Sequence, residues 1–154
     1  MKRFIILFLF IWIALAGNAQ TDYDAINIVI KWQSALQRLM SSHNNVDVYA
    51  DVEIELEKMT SFKSEAKEFL VPDLLGDCYS KISLLVFVRK IYKSQNIDFS
   101  YKIIDNYKIA SADYSSTVKY HNAVAVDNFV DNKLIPLSFI INENNKICSI
   151  NIRN

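Results

Sequence analysis

Apolar and polar residues alternate with a helical period in the first half of the chain. From position 22 to about position 40, apolar residues recur every three or four positions, with polar residues between them, which is typical of an amphipathic helix. The shared face comprises Ala25, Val29, Trp32, Leu36 and Leu39. Thr21 and Asp24 have the spacing of a capping box ahead of it. The pattern predicts a first helix over residues 22–40 with a wide buried face.

The next two segments each fit two patterns. Residues 46–57 alternate as a strand would, but their apolar positions also continue one helical face as far as Phe69. Because the composition is rich in Glu and Lys, we predict a helix from about Ala50 to Leu70, ended by Pro72. A third helix is predicted from Ser80 to Ser94. Its centre, residues 82–88, is apolar on nearly every side and equally fits a buried strand.

From Ile97 onward the period changes to two. Alternation runs through residues 97–103, 118–126, 135–141 and 148–152, and the last two segments face each other across an Asn-rich turn at 142–145. Helices followed by strands predict an α+β domain, with N-terminal helices packed on a curved antiparallel sheet of about four or more strands. Pro136 predicts that its strand begins near Leu137 or lies at an edge of the sheet.

The first 19 residues have the pattern of a secretory signal peptide. Lys2 and Arg3 precede an unbroken apolar run over residues 4–16, and small side chains lead to a cleavage site after Ala19. This run is short for a membrane anchor, which needs roughly 20 apolar residues. The sequence therefore predicts a secreted or periplasmic protein whose mature part, residues 20–154, is a single domain with no membrane attachment after cleavage.

Composition excludes several classes of function. Lys2 and Arg3 are two of the 17 basic residues, so the mature chain has 15 against 17 acidic ones, a balance that gives no footprint for nucleic acid. One of the two glycines, Gly17, lies in the signal peptide, so phosphate-binding loops and nucleophile elbows cannot be built. The two histidines are 78 positions apart, which excludes the common zinc motif. No metal and no cofactor are predicted.

In this glycine-poor chain, pairs of Asn and Asp residues are predicted to form the turns. The pairs are Asn44-Asn45, Asp105-Asn106, Asp127-Asn128, Asp131-Asn132 and Asn144-Asn145, and these residues tolerate the left-handed region. Two cysteines, Cys78 and Cys148, either form a disulfide after export or remain buried thiols.

The first helix at residues 22–40 and the final hairpin, PLSFIINENNKICSINI, together resemble the nuclear-transport-factor-like superfamily. That cystatin-like, cone-shaped fold also includes ketosteroid isomerase, and secreted bacterial members often end in such a hairpin. The resemblance implies a curved sheet around helices, with a pocket open at one end. Members include enzymes, binding modules and domains without known activity, so the fold does not select a function.

Candidate site residues follow from strand parity. If the strand from Ile97 is unbroken, Asp105 faces inward between Tyr101 and Tyr107, where burial would suit a general base. The competing interpretation makes Asp105 and Asn106 a two-residue turn. On the next strand Tyr120 and Asn122 share the parity of the apolar positions. The predicted ligand-binding residues are Tyr101, Tyr107, Tyr120 and Asn122, with Asp105 as the catalytic candidate.

Three hypotheses about function remain open at this stage. The leading one is an exported, non-catalytic domain that binds an apolar small molecule or a partner protein. The second is a cofactor-free isomerase or lyase that uses Asp105 as a buried carboxylate. The third is a periplasmic inhibitor or immunity protein that covers a toxin with an exposed surface. Composition does not fix the oligomeric state.

Overall fold

The computed structural model describes residues 22–43, 45–61, 68–72, 79–93, 97–112 and 118–153. The helices in these ranges are α1 (residues 22–40), α2 (Val46–Met59) and α3 (Leu84–Lys93). The strands are β1 (Glu68–Pro72), β2 (Tyr79–Ser83), β3 (Phe99–Ala112), β4 (Val118–Val130), β5 (Lys133–Ile141) and β6 (Ile147–Ile152).

The four C-terminal strands form an antiparallel meander in the order β3-β4-β5-β6. Each pairs with the next one along the chain, with register shifts at Ile103/Asp105 in β3 and at Ile140/Ile141 in β5. Such bulges bend a strand and increase its twist. β1 and β2 form a separate antiparallel hairpin, and Cα atoms of β1 approach those of β6 within 8 Å. With helices packed on one side of this sheet, the predicted α+β class is confirmed.

The helices meet the sheet through the apolar faces that the sequence pattern predicted. On α1 the residues of the predicted face are all buried, and the ring of Trp32 meets that of Phe139 on β5 edge to face, with centroids 6.4 Å apart. On α2 the buried residues are Val52, Leu56 and Met59. These residues join the inner-facing valines of β4 in one core cluster.

The predicted bounds of the second and third helices are wrong. α2 begins at Val46 because the Asn45 side chain accepts hydrogen bonds from the backbone N–H groups of Asp47 and Val48. It ends at Met59, where the chain turns to the sheet and the Ser61 N–H donates to the Ile147 carbonyl. Residues 68–70, predicted as helix, lie in β1, and residues 80–83 lie in β2. The mostly apolar segment over residues 82–88 divides into the end of a strand and the start of a helix, which periodicity alone does not resolve.

Two of the Asn and Asp pairs form turns and two lie inside strands. Asp131 and Asn132 join β4 to β5, with φ of 48° and 67°, and Asn145 has a φ of 54° in the turn before β6. The turn predicted at Asp105-Asn106 is wrong, because β3 continues through it, and the pair Asp127-Asn128 lies within β4. Cross-strand pairing over 13 to 14 residues outweighs the local turn preference of these residues.

The position of Pro136 also differs from the prediction. β5 begins at Lys133 and lies between β4 and β6, so Pro136 is neither a start nor an edge residue. The last residue pair between β5 and β6 is Leu137 with Ile152. Pro136 lies just beyond it, and its carbonyl accepts a hydrogen bond from the Arg153 N–H. The proline, which lacks an N–H, is thus placed where the ladder to β6 has ended.

Candidate functional site

The two faces of the four-stranded sheet differ in what covers them. We call the side packed against the helices the inner face and the opposite side the outer face. On β4 the inner face carries Val124, Val126, Asn128 and Val130, all of them buried. Three of these are valines of the core cluster. The fourth, Asn128, is a polar residue in the same row.

Asn128 is completely enclosed and makes no side-chain hydrogen bond. Its exposure is 0%, and neither Nδ2 nor Oδ1 has a partner within the part of the chain that the structure describes. Its register neighbours are Tyr101 on β3 and Ile135 on β5, whose Cβ atoms lie about 5 Å away in such pairs. An amide is therefore held between an aromatic and an aliphatic side chain on the inner face.

Gln33 repeats this arrangement on the helix side of the core. It lies on α1 with an exposure of 0%, and neither Nε2 nor Oε1 has a hydrogen-bond partner among the described residues. The next residue back along the helix is Trp32, which packs on Phe139. The described residues therefore include two fully buried carboxamides, Gln33 on α1 and Asn128 on β4, in which both the nitrogen and the oxygen are unpartnered.

Without a hydrogen-bonding partner, the side-chain amides of Gln33 and Asn128 lower the stability of the folded chain. A buried polar group that loses its water without gaining a partner costs roughly 1–3 kcal/mol, and buried side-chain polar atoms are hydrogen-bonded in the large majority of cases. Among the described residues, the buried polar side chains are Gln33, Asn128 and Ser138, and no charged residue is buried. An uncharged polar group placed between α1 and the inner face would find donors and acceptors already desolvated.

The structure separates the predicted ligand-binding residues. Tyr101, Tyr120 and Asn122 alternate with outer-face residues and lie on the inner face, but Tyr107 lies on the outer face. Tyr101 is partly buried and packs against the Phe99 ring, with centroids 6.4 Å apart. Tyr120 is 67% exposed, beyond the last pair of β4 with β5, and Asn122 pairs with Ile141 at that end. Of these four predicted residues, Tyr101 is the one that pairs with Asn128 across neighbouring strands.

The predicted inward position of Asp105 is wrong. The register shift between Ile103 and Asp105 leaves Ile104 as an extra residue, so Asp105 pairs with Ala125 on the outer face and is exposed. Its Oδ1 accepts a hydrogen bond from the N–H of Asn106. Asn106 takes the inner position instead, and its Nδ2 donates to the Asp22 carbonyl at 3.4 Å. The burial that a general base was expected to gain here is absent.

The outer face carries its own polar contacts. The hydroxyl groups of Tyr107 and Ser138 lie 3.1 Å apart and share a hydrogen bond. The Arg153 guanidinium donates to the Asp127 carboxylate, and both side chains are mostly buried. The small residues Ala123 and Ala125 on the same face are also buried. Both polar contacts join residues of the chain to one another, so they leave no unpartnered amide like that of Asn128 on the described part of this face.

The remaining candidate residues are placed apart from the two amides. Cys148 has a free thiol that donates to the Ile140 carbonyl at 3.4 Å, and burial raises the pKa of this thiol. Cys78, the other cysteine of the disulfide that the sequence allows, lies outside the described residues. Within the described ranges, no group of three His, Cys, Asp or Glu residues is arranged to hold a metal ion. The helices that the structure describes include none long and apolar enough to cross a membrane.

Comparison with family models, with curated proteins and with solved structures finds no match for this chain. The function must therefore be argued from the site itself. Sequence reasoning missed both Gln33 and Asn128. Gln33 is one of the polar residues that lie between the apolar positions of α1, and Asn128 belongs to an Asp-Asn pair, which favours a turn. The available signal was parity, because Asn128 shares it with Val124 and Val126.

Proposed function

We propose that this protein is an exported, non-catalytic binding protein that holds a small, mainly apolar molecule between α1 and the inner face of the sheet. Export rests on the signal-peptide pattern of residues 1–19. The observation that carries the binding proposal is the pair of buried, unpartnered carboxamides, Gln33 and Asn128. Ligand sites are mostly apolar, with a small number of polar groups that fix orientation, and these two residues have that character.

The surroundings of Asn128 support a route for the ligand. Tyr101, its neighbour on β3, is only partly buried, and β3 is one of the two edge strands of the four-stranded sheet. A ring at this position can turn about χ1 and χ2 without breaking a strand pair. Passage beside Tyr101 would bring a small molecule directly to the Asn128 amide.

The order of the elements also supports the proposal. Two helices, a hairpin, a third helix and a four-stranded meander follow one another, and β1 runs close to β6. This layout is what a nuclear-transport-factor-like cone would require, with the pocket between the helices and the inner face. The proposal takes the position of the pocket from that likeness and its chemistry from Gln33 and Asn128.

The proposal is tested with Nile red, an uncharged dye whose fluorescence rises in an apolar environment. We expect the mature protein, residues 20–154, to bind the dye saturably, with one site per chain. At least one of Asn128→Val and Gln33→Met should weaken binding, because the polar end of the dye loses the amide that it contacts. The matched controls are Asn151→Val on β6 and Gln37→Met on α1, since both residues are exposed.

Saturable binding that at least one interior variant reduces, and that the two surface variants leave unchanged, would support an interior site. Absence of saturable binding, or a loss that is no greater in the interior variants than in the surface variants, would overturn the proposal. Native mass spectrometry of protein purified from a periplasmic host provides a second measurement. A discrete adduct that survives gentle ionisation, and that is lost in Asn128→Val, would identify a natural ligand by its mass.

A further inference from the structure

We infer that the ligand is uncharged and presents a hydrogen-bonding group, such as a hydroxyl or a carboxamide, to Asn128 or Gln33. This inference rests on the proposed function and specifies the chemical class of the ligand. The described interior contains unpartnered amide donors and acceptors and no charged side chain.

The described part of the interior contains no charged group that could neutralise a charged ligand. No buried residue among those described carries a charge. The described ion pair between α1 and α2, Arg38 with Glu55, is exposed on both sides. A carboxylate or ammonium group transferred into this layer would lose its hydration without gaining a counter-ion, which costs far more than the transfer of a neutral polar group. Fatty-acid anions and amines are therefore expected to bind poorly.

The interior also disfavours a pure hydrocarbon. Each carboxamide carries two N–H donors and one carbonyl acceptor, and in both residues the nitrogen and the oxygen are unpartnered. A hydrocarbon would leave all these atoms desolvated and unsatisfied. A hydroxyl or a carboxamide can donate and accept at once, so it satisfies both kinds of atom in a single contact.

Gln33 and Asn128 lie at different places in the protein interior. Trp32, next to Gln33, meets Phe139, and Phe139 is paired with Val124 on β4. Asn128 lies four residues further along β4, which corresponds to about 13 Å of strand. The contribution of each amide to ligand discrimination can therefore be measured separately.

The experiment uses naphthalene and its derivatives, which keep one apolar body and change one group. Displacement of Nile red at pH 7 is measured for naphthalene, 2-naphthol, 2-naphthamide, 2-naphthoate and 2-naphthylmethylamine. We expect 2-naphthol and 2-naphthamide to bind about tenfold more tightly than naphthalene, because one satisfied hydrogen bond is worth roughly a factor of ten. The anion and the cation should bind at least tenfold more weakly than 2-naphthol.

The variants assign this discrimination to the two amides. Asn128→Val or Gln33→Met should reduce the preference for 2-naphthol over naphthalene to within about threefold, while naphthalene itself still binds. Asn128→Ala accompanies Asn128→Val in case valine packs poorly. The exposed residues Asn151→Val and Gln37→Met should keep the full preference.

The outcomes separate this inference from the proposed function. If Nile red does not bind, the proposed function fails and the inference fails with it. If the dye binds but naphthalene equals 2-naphthol, or 2-naphthoate binds best, the interior site stands and the inference about the ligand class is overturned. If the preference is present but survives in every interior variant, another group provides it, which also overturns the assignment to these amides.

Discussion

The rings of Trp32 on α1 and Phe139 on β5 meet edge to face, with centroids 6.4 Å apart and planes inclined by 66°. Both side chains are buried, with 1% of each exposed. This contact joins the first helix to the centre of the sheet, and aromatic pairs of this geometry contribute about 0.5–1.5 kcal/mol beyond the area they bury.

We expect Phe139→Ala and Trp32→Ala each to lower the free energy of unfolding by about 3–5 kcal/mol, because each leaves a large cavity in the core. Urea unfolding followed by circular dichroism measures this. The double variant should be less destabilised than the sum of the two losses, since the residues share one contact. Strict additivity would show that the two rings are energetically independent.

The two buried amides should destabilise the protein when no ligand is bound. Asn128→Val and Gln33→Met each remove an unsatisfied polar group, so we expect the free energy of unfolding to rise by about 1–3 kcal/mol. Asn151→Val and Gln37→Met control for strand and helix propensity. A loss of stability in both interior variants would mean that the amides are satisfied in solution, for example by ordered water.

The hydrogen bond between Tyr107 and Ser138 should make a modest contribution on the outer face. Tyr107→Phe and Ser138→Ala are each expected to cost about 0.5–1.5 kcal/mol of unfolding free energy. The double variant should cost little more than either single one, because the second substitution removes an already broken bond. Nile red binding should be unchanged throughout, since this pair lies on the side of the sheet opposite the proposed site.

Asp127 and Asp105 provide a matched comparison on the same face. Asp127 accepts from Arg153 in a mostly buried pair, whereas Asp105 is exposed. We expect Asp127→Asn to lower stability by about 1 kcal/mol or more, and Asp105→Asn to change it by less than about 0.5 kcal/mol. Reversed effects in thermal unfolding would contradict this placement. Loss of Nile red binding in Asp105→Asn would indicate that Asp105 takes part in the binding site.

The Cys148 thiol should react slowly with alkylating reagents. Burial favours its neutral form, so its pKa lies above the ordinary value and less thiolate is present at any given pH. In a Cys78→Ser background, the rate of iodoacetamide labelling should therefore rise with pH through a midpoint that is higher in the folded protein than in urea. A midpoint in the folded protein at or below that in urea would contradict this environment for the thiol.

Periodicity predicted the parts of the fold in which one face is buried and the other is solvated. The face of α1 around Trp32 and the paired strands β5 and β6 are of this kind. It failed at residues 80–83, which border and enter a run over residues 82–88 that is apolar on nearly every side, and at residues 68–70, which continue a helical apolar face but lie in a strand. In both places the outcome depends on tertiary pairing, which a local pattern does not contain.

The site was harder to predict for a related reason. Strand parity placed Tyr101 and Asn122 correctly on the inner face, but the extra residue Ile104 reversed it for Asp105 and Tyr107. A bulge leaves no clear mark in the sequence. The Asp-Asn pair at 127–128 predicts a turn from local preference, but β4 continues through it to Val130.

The contact between Trp32 and Phe139 also has a consequence for biosynthesis. These residues are 107 positions apart, and a chain is made from its N-terminus. The apolar stripe of α1 is therefore complete long before β5, the strand that covers Trp32, has been synthesised. Until then the apolar face of the nascent α1 is not covered by its native partner, so we expect holding chaperones to bind it. The C-terminal meander, in contrast, pairs strands that are adjacent in the sequence and can form quickly.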